Sequence, residues 1–410
     1  MANALITTNK VLNEGIMHLE NELAMGALIS NDYSGDFQKV GDTISIRRPA
    51  QYTVQRNNLD ITSAIQDIEQ ATIPVTLTKT ATIAVKLTAK ERTLSFDRLS
   101  EDIIKPAMIV LKDEIESTIA AQYPKFYNFS GTPGTVPSTF ASLANAGAMM
   151  DDLGLPMSGR IAFHSPQAAA NLADGLKGVY VQQIAKTALE KAKIGEYANF
   201  TNYKSQHTPT HIVGVATGTP LVNGASQNVT YATAKNTWSQ TLNTDGWTNS
   251  TTGILKAGDV FTIAGVFSVN PVSKVSTGRL QHFTVLADAN SGASTGPAAL
   301  TVSPPIITSG AYQTVTAAPA DNAAITVVTG TGGTAYRQSL LMLPEAMTLV
   351  TRPLDIPQGE GVKTTTKSGN KVTVSCTEFV NGMTLDQVMR FDMLYEALVV
   401  DSRKGLRLTN

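Results

Sequence analysis

The chain has a single cysteine, Cys376, among 410 residues. No intrachain disulfide can form, and a multi-cysteine metal site is excluded. Glutamate is missing altogether from Gly218 to Gln338, and aromatic residues make up only 6% of the whole. Charge is sparse, at 16%, and balanced: 32 basic against 33 acidic side chains leave a formal net charge of −1. That balance gives no long-range attraction for nucleic acid or for an anionic membrane. No apolar run approaches the length needed to cross a bilayer. The opening MANALITTNKVLNEGIMHLENEL lacks a basic leader followed by an apolar core and cleavage site, so a cytoplasm is the expected place of synthesis and folding. Without a secretory signal, the glycosylation patterns at Asn199, Asn228 and Asn249 read as chance in a Thr-rich chain.

Thr, Ser, Asn and Gly are plentiful instead, which suits β-structure and contact surfaces. The length exceeds one typical core and implies two or three domains. The most strongly patterned stretch is Ser95 to Tyr123. There Ile104, Met108, Leu111, Ile115 and Ile119 recur at steps of three and four and fall on one helical face. Lys112, Asp113, Glu114 and Glu116 sit mostly off that stripe. Pro106 either starts this helix or kinks a longer one, and Pro124 prevents its continuation.

Ahead of it, Thr8 to Glu22 reads as a loosely periodic helix that needs something to dock on. Gly41 to Pro49, GDTISIRRP, alternates as a strand does. Ile73, Val75 and Leu77, then Ile83, Val85 and Leu87, alternate on either side of Lys79-Thr80 and predict a long hairpin. Two strands alone are marginal in water, so this excursion must lie against other protein, in its own domain or in a neighbouring copy.

Beyond the long helix, Ser138 is the expected N-cap of a helix over Thr139–Leu153 that ends at Gly154 and Pro156. Arg160–His164 reads as a strand, Ser165-Pro166 as the start of a further helix, and Val181–Lys193 as another. From Gly218 the texture changes to short strands, with Asn228–Ala232, Val260–Ala264, Phe283–Ala287 and Ala324–Val328 as candidates. This predicts a small all-β barrel or sandwich inserted into an α/β or α+β body. Mixed texture resumes at Leu340–Leu354, and strands are expected around Lys371–Phe379, Gln387–Leu394 and Ala397–Val400.

Catalytic sets are scarce. His207 and His211 have the spacing of a metal pair, but Pro209 argues against one helical face and no third ligand is recognisable. His164 follows a strand, where an α/β enzyme keeps a base, yet no Ser or Cys nucleophile motif accompanies it. Asp151-Asp152 reads as a solvated helix end. Gly330–Gly333 lacks the Lys-Ser/Thr of a phosphate loop and reads as a turn. Arg47, Arg48, Lys79, Lys86, Lys90 and Arg92 are countered by Asp60, Asp67, Glu69 and Glu91, which favours salt bridges between protein surfaces over nucleic-acid contact. No cofactor, metal or catalytic residue is expected, and none of His164, His207 and His211 should support turnover.

Five stretches in this order carry a resemblance: GDTISIRRP, IGEYANFTNYKSQHTPTHIVG (Ile194–Gly214), GDVFTIAGVFSVNPVSKVSTGRLQHFTVLAD (Gly258–Asp288), LMLPEAMTLVTRPL (Leu341–Leu354) and VMRFDMLYEALVV (Val388–Val400). Together they resemble the major capsid (coat) proteins of tailed bacteriophages, of the short-tailed type whose coat protein carries an inserted β-barrel. The resemblance implies an α+β capsid fold with an N-terminal arm (1–40), an extended β loop (41–93), a spine helix of a peripheral domain (94–134) and an axial domain (135–217). The inserted barrel (218–338), a return to the axial domain (339–370) and closing strands of the peripheral domain (371–410) follow. It further implies self-assembly into hexamers and pentamers of an icosahedral shell around packaged double-stranded DNA, held without sequence specificity, with scaffolding and portal proteins as partners. Arg47, Arg48, Ile73, Val75, Leu77, Lys79, Ile83, Val85 and Leu87 are then the candidate contacts between subunits. Glu396 departs from the small residue expected after the tyrosine and puts a turn there in doubt. A β-rich surface or adhesin protein and an α/β hydrolase are the alternative readings.

Overall fold

A computed structural model of the chain describes residues 8–32, 43–54, 60, 62, 65–87, 100–175, 195–354, 362–369, 372–381 and 386–409. The chain divides into two units: Met1–Ser45, Pro74–Ala120 and Met347–Leu398 in the first, Ile46–Ile73, Ala121–Ala346 and Val399–Asn410 in the second. The helix predicted over Val181–Lys193 and the first residues of the stretch from Ser95 lie outside the described residues.

The first unit forms around the apolar stripe read from the sequence. Ser100–Ile104 wind as a π-helical turn, and Pro106 marks its junction with α3 (Lys105–Ala120), where a missing N–H costs least. Ile104, Met108, Leu111, Ile115 and Ile119 are all buried. The helix α1 (Thr8–Glu22) docks on this face through Val11, Leu12, Ile16 and Leu19. Gly15 permits the approach, since a Cβ there would sit 3.3 Å from the Met108 sulfur. The described helix of the segment read as an arm therefore packs in its own unit. Glu116 differs from its expected place among solvated residues: it is 1% exposed, and Oε1 accepts the backbone N–H groups of Ala24 at 2.6 Å and Met25 at 3.1 Å. Those donors open the short turn α2 (Met25–Leu28) and would otherwise be buried without a partner.

Against these helices lies a five-stranded sheet. Its members are β3 (Lys79–Leu87), β16 (Met347–Arg352), β17 (Val362–Ser368), β18 (Thr373–Asn381) and β19 (Asp386–Val399). The hairpin expected from Ile73 to Leu87 is corrected here. The strand β2 (Thr72–Thr76) pairs with β1 (Thr43–Arg47) in a two-stranded ribbon, and β3 pairs antiparallel with β19, Ile83 opposite Phe391 and Val85 opposite Met389. Adjacent alternating runs look alike whether they pair with each other or with a strand some 300 positions away, and packing against the sheet decides the outcome. There is also no turn at Glu396. It stands within continuous β19, bonded by Thr78 Oγ1 at 2.9 Å and paired with Lys79 at 3.5 Å.

The second unit carries a seven-stranded mixed sheet in the order β4-β20-β15-β5-β7-β6, with β8 also on β15. These are β4 (Asn128–Ser130), β5 (Arg160–His164), β6 (Glu196–Tyr197), β7 (Phe200–Lys204), β8 (Thr210–Ile212), β15 (Ala335–Met342) and β20 (Gly405–Thr409). Two helices cover it, α4 (Phe140–Asp152) and α5 (Pro166–Gly175), and Leu143, Met150, Leu172, Phe200, Leu341 and Leu406 form the core between. The N-cap of α4 is Thr139 rather than Ser138, whereas Ser165 Oγ accepts the Ala168 N–H at 3.1 Å as a cap should. The closing strands are corrected too: β20 belongs to this sheet because Leu406 and Leu408 complete its core, and of the described residues between 339 and 370 those up to Ala346 lie in this unit.

Between β8 and β15 the chain builds a second sheet, in the order β14-β11-β12-β13-β10-β9. It consists of β9 (Gly218–Val222), β10 (Gln240–Trp247), β11 (Val260–Val269), β12 (Ser276–Val285), β13 (Ala298–Ser303) and β14 (Ile325–Val327). A bridge from Leu221 to Ala324 brings its edges together, so the sheet is nearly a closed barrel. Its core, with Val222, Trp247, Phe261, Phe283, Leu300 and Ile325 among its members, draws on residues between Ala216 and Val327 alone. Asn228–Ala232, expected as a strand, instead leads into the helical turn α6 (Tyr231–Ala234).

The spine gives a direct test. Ile115→Ala removes a fully buried side chain of α3 and should cost the unassembled subunit about 2–5 kcal/mol in denaturant unfolding. Val110→Ala, at a position 59% exposed on the same helix, should stay within about 0.5 kcal/mol.

Candidate functional site: the barrel junction and the extended loop

Two side-chain assemblies in the second unit concentrate polar chemistry. The first lies where the chain passes from the mixed sheet into the barrel and back. Val213 and Gly333–Thr334 exchange backbone bonds, at 3.1 Å and 3.0 Å, so the two crossings run side by side. Asp259, at the start of β11, is fully buried. Its Oδ1 accepts from His211 Nε2 at 2.8 Å and from Thr329 Oγ1 at 3.0 Å, and its Oδ2 accepts the N–H groups of Gly214 at 2.9 Å and Lys256 at 2.7 Å. One carboxylate thereby binds the strand leading in, the segment leading out and the barrel's own turn. Four donors are what a buried carboxylate needs in place of water.

His211 extends the chain of bonds, since its Nδ1 accepts the hydrogen bond of the Tyr123 hydroxyl at 2.9 Å. Burial raises the Tyr123 pKa, the nearby Arg407 opposing and Asp259 reinforcing the shift, so the phenol stays a donor. The Tyr–His–Asp sequence has the connectivity of a catalytic relay, and Gly258 packs closely against it. A Cβ on Gly258 would meet the His211 ring at 3.2 Å and the Tyr123 ring at 3.3 Å. Arg407 of β20 closes the junction from the mixed sheet. It donates to the Gly258 carbonyl at 2.7 Å and lies 5.7 Å from the Tyr123 ring centre and 5.9 Å from that of Phe129. Burial lowers even this guanidinium, to about 10, with Tyr123 and Asp259 opposing. The relay ties β8, the barrel and the segment after the long helix together.

Both ring nitrogens of His211 are taken by Tyr123 and Asp259, while His207 Nε2 faces Gln206. His164 is buried in β5. Its Nε2–H donates to Asn202 Oδ1 at 2.9 Å, since the Asn202 amide nitrogen is committed to the Gly195 and Phe200 carbonyls. Its Nδ1 has no hydrogen-bond partner among the described residues. Cys376 is an inert thiol, pushed up to about 12 by burial, then by Glu378 and Asp392.

The second assembly anchors residues 46–73. Arg48, a candidate for contact between subunits, works inside its own unit: Nε donates to the Val400 carbonyl at 3.0 Å, and the guanidinium lies 5.4 Å from the Trp238 ring centre. Arg403 lies over the same ring at 5.9 Å and grips Asp401 through Nε and Nη2 at 2.9 Å and 2.8 Å. Burial works against the Asp401 charge, yet Arg403, with a smaller share from Arg48, holds its pKa below the ordinary value.

Of the other candidates, Arg47 is exposed on β1 and Val75 is buried on β2, with Ile73 and Leu77 half-buried. Lys79, Ile83 and Val85 are half-buried on β3, and Leu87 stands opposite Gln387 in its register. Among the exposed apolar side chains that sequence reasoning missed, four are in the loop, Tyr52 at 56%, Val54 at 83%, Ile65 at 75% and Ile68 at 72% exposure, and others, such as Val272 and Val275, lie on the barrel. The loop residues stand in two isolated pairs that sustain no period, so no periodicity singles them out.

His164 makes the stability of the subunit depend on pH. Burial pushes its pKa from 6.5 to about 4, the Asn202 bond opposing weakly. The folded state then binds fewer protons than the unfolded one as pH falls through this window. Its contribution is complete above 6.5 and declines toward 4, by about 2 kcal/mol at pH 5. His164→Gln should flatten that part of the dependence when unfolding of the unassembled chain is followed between about pH 7.5 and pH 5.

The family model described as "P22 coat protein - gene protein 5" matches residues 1–409. A curated relative, the major capsid protein of Acyrthosiphon pisum secondary endosymbiont phage 1, is 26% identical over 388 residues, covering 92% of this chain and 89% of the relative. Among solved structures, the capsid of Ralstonia phage GP4 is similar with a TM-score of 0.45 at 9% identity, covering 94% of this chain and 87% of that one. A structure from Mycobacterium phage Che8 gives 0.44 at 10% identity, over 94% and 90%.

Proposed function

We infer that this chain, which belongs to the P22 coat protein family and is a phage major capsid protein, closes into an icosahedral shell through its extended loop. Hexamers and pentamers of the chain would form that shell around double-stranded DNA, packaged without regard to sequence. The observation that carries this reading is the loop itself. Tyr52, Val54, Ile65 and Ile68 expose apolar surface, and such surface is stabilised when a neighbouring copy covers it. Full burial is worth roughly 1.5–3 kcal/mol per side chain, and the gain repeats at every copy. A scaffolding protein to guide curvature, a portal protein at one vertex and assembly in the host cytoplasm complete the proposal. Family membership favours it over an adhesin or a hydrolase.

Val54→Asp tests the loop. The unassembled subunit should keep its stability within about 0.5 kcal/mol, because the position is 83% exposed, while shell yield measured by sedimentation and electron microscopy should collapse. Normal shells from this variant would remove the loop from the interface.

The barrel is proposed to fold on its own, since its core closes upon itself and its ends are hydrogen-bonded neighbours. Residue 338 is too late a boundary, because β15 runs through it as part of the mixed sheet. A fragment from Gly214 to Thr334 should unfold cooperatively with dispersed amide resonances. Its midpoint should lie below that of the barrel in the full chain, because His211 and Arg407 are absent. A disordered fragment would show that the barrel depends on the junction to fold.

A further inference from the structure

The ribbon of β1 and β2 ends where the Arg48 N–H meets the Ala71 carbonyl at 2.9 Å. Beyond that pair, one side chain of the inserted barrel ties the two legs of the loop together. The Tyr312 hydroxyl accepts the Gln51 N–H at 3.1 Å on the outgoing leg and donates to the Glu69 carbonyl at 2.7 Å on the returning one. Its ring lies flat on Tyr231, with centres 3.5 Å apart and planes within 2°. Tyr231 in turn meets the edge of Trp238 at 6.4 Å, the ring that Arg48 and Arg403 cover. The Thr72 N–H adds a weaker bond to Asn236 Oδ1, at 3.3 Å. With its amide turned to satisfy both neighbours, the Gln51 side chain donates to the Ala311 carbonyl at 3.1 Å and accepts from Arg403. Further out, Gln66 joins the legs again by bonding both the N–H and the carbonyl of Thr53, at 2.9 Å and 2.7 Å.

We propose that Tyr312 is a positioning residue for assembly, through which the barrel fixes the direction of the loop before a neighbouring copy meets it. The physical advantage is preorganisation. A loop free to swing would lose that freedom on docking and weaken every contact it makes, whereas a loop held at both legs has already lost it in the folded subunit. A hydroxyl suits the task because it donates and accepts at once and so bonds a carbonyl on one leg and an N–H on the other. The stack on Tyr231 holds the ring in place, and the cationic cover on Trp238 continues the support back to Arg48 at the foot of the loop. This role rests on the coat-protein reading, whereas the clamp itself belongs to the single subunit.

Tyr312→Phe keeps the ring and its stack but removes both bonds. In the unassembled full chain, the Gln51 amide should exchange about ten-fold faster than in the wild type, with amides of β11 and β12 unchanged. The concentration at which shells first form should rise several-fold. Unchanged exchange at Gln51 would overturn the clamp, and faster exchange with an unchanged threshold would overturn its part in assembly. Tyr312→Ala, which also removes the stack, should shift both measurements further, and a smaller shift than that of phenylalanine would count against the ring's contribution. Should the wild type form no shells at all, the coat-protein reading fails, while the exchange comparison still decides the clamp.

Discussion

Asp259 is the constraint on which the second unit depends. A domain inserted between two neighbouring strands of a sheet enters and leaves through backbone that cannot continue either sheet, and its polar groups still need partners when buried. Here the carboxylate supplies them, accepting from His211 and Gly214 on the way in and Thr329 on the way out. Removing one acceptor would strand several donors at once, which is far costlier than losing a single surface bond. Gly214 is glycine for the same reason: a Cβ there would lie 2.5 Å from the Leu255 Cα and 2.9 Å from the carboxylate it bonds.

With the crossings pinned, the mixed sheet can close as if the barrel were not there. Within it, β15 pairs on one side with β5 and on the other with β20, the last strand of the chain, while its first residues pair with β8. Arg407 on β20 reaches the Gly258 carbonyl beside Asp259, so the chain's last strand also fastens the base of the barrel. The first unit solves a like problem with Glu116, whose buried carboxylate receives the opening N–H groups of α2. In both units a buried acid substitutes for water at a place where the backbone cannot satisfy itself.

Local periodicity was legible and pairing was not. The stripe from Ile104 to Ile119, the bounds of α1 and the strands Thr43–Arg47 and Arg160–His164 follow from patterns within a few residues, which helices and half-buried strands require. The partner of β3 is β19, far along the chain, and nothing in ATIAVKL distinguishes that pairing from a local hairpin. The placement of β20 with the mixed sheet was hidden in the same way. Buried acids are illegible for a different reason: Glu116 and Asp259 read as ordinary polar residues because their burial depends on backbone donors brought in from elsewhere. Tyr312 carries no pattern at all, since its role is defined by two legs of a loop some 240 to 260 positions earlier.

The missing glutamate between Gly218 and Gln338 takes on meaning once the few charges there are located. Asp259 lies buried at the junction, Arg279 pairs with Asp152 at 2.9 Å, and Lys274 caps the Ala311 carbonyl. Asp288 and Asp321 accept backbone N–H groups of turns at Ala257 and Gly224, and Arg337 bonds Thr208 and the Gln206 carbonyl. Charge in this stretch is thus largely committed to holding the subunit's own geometry, and the barrel is built with few charges left over. For a protein whose copies crowd together in a shell, that distribution has a physical consequence. Every unpaired charge would be repeated at each copy and would repel its own image, so a nearly neutral domain can stand close to its neighbours without that penalty.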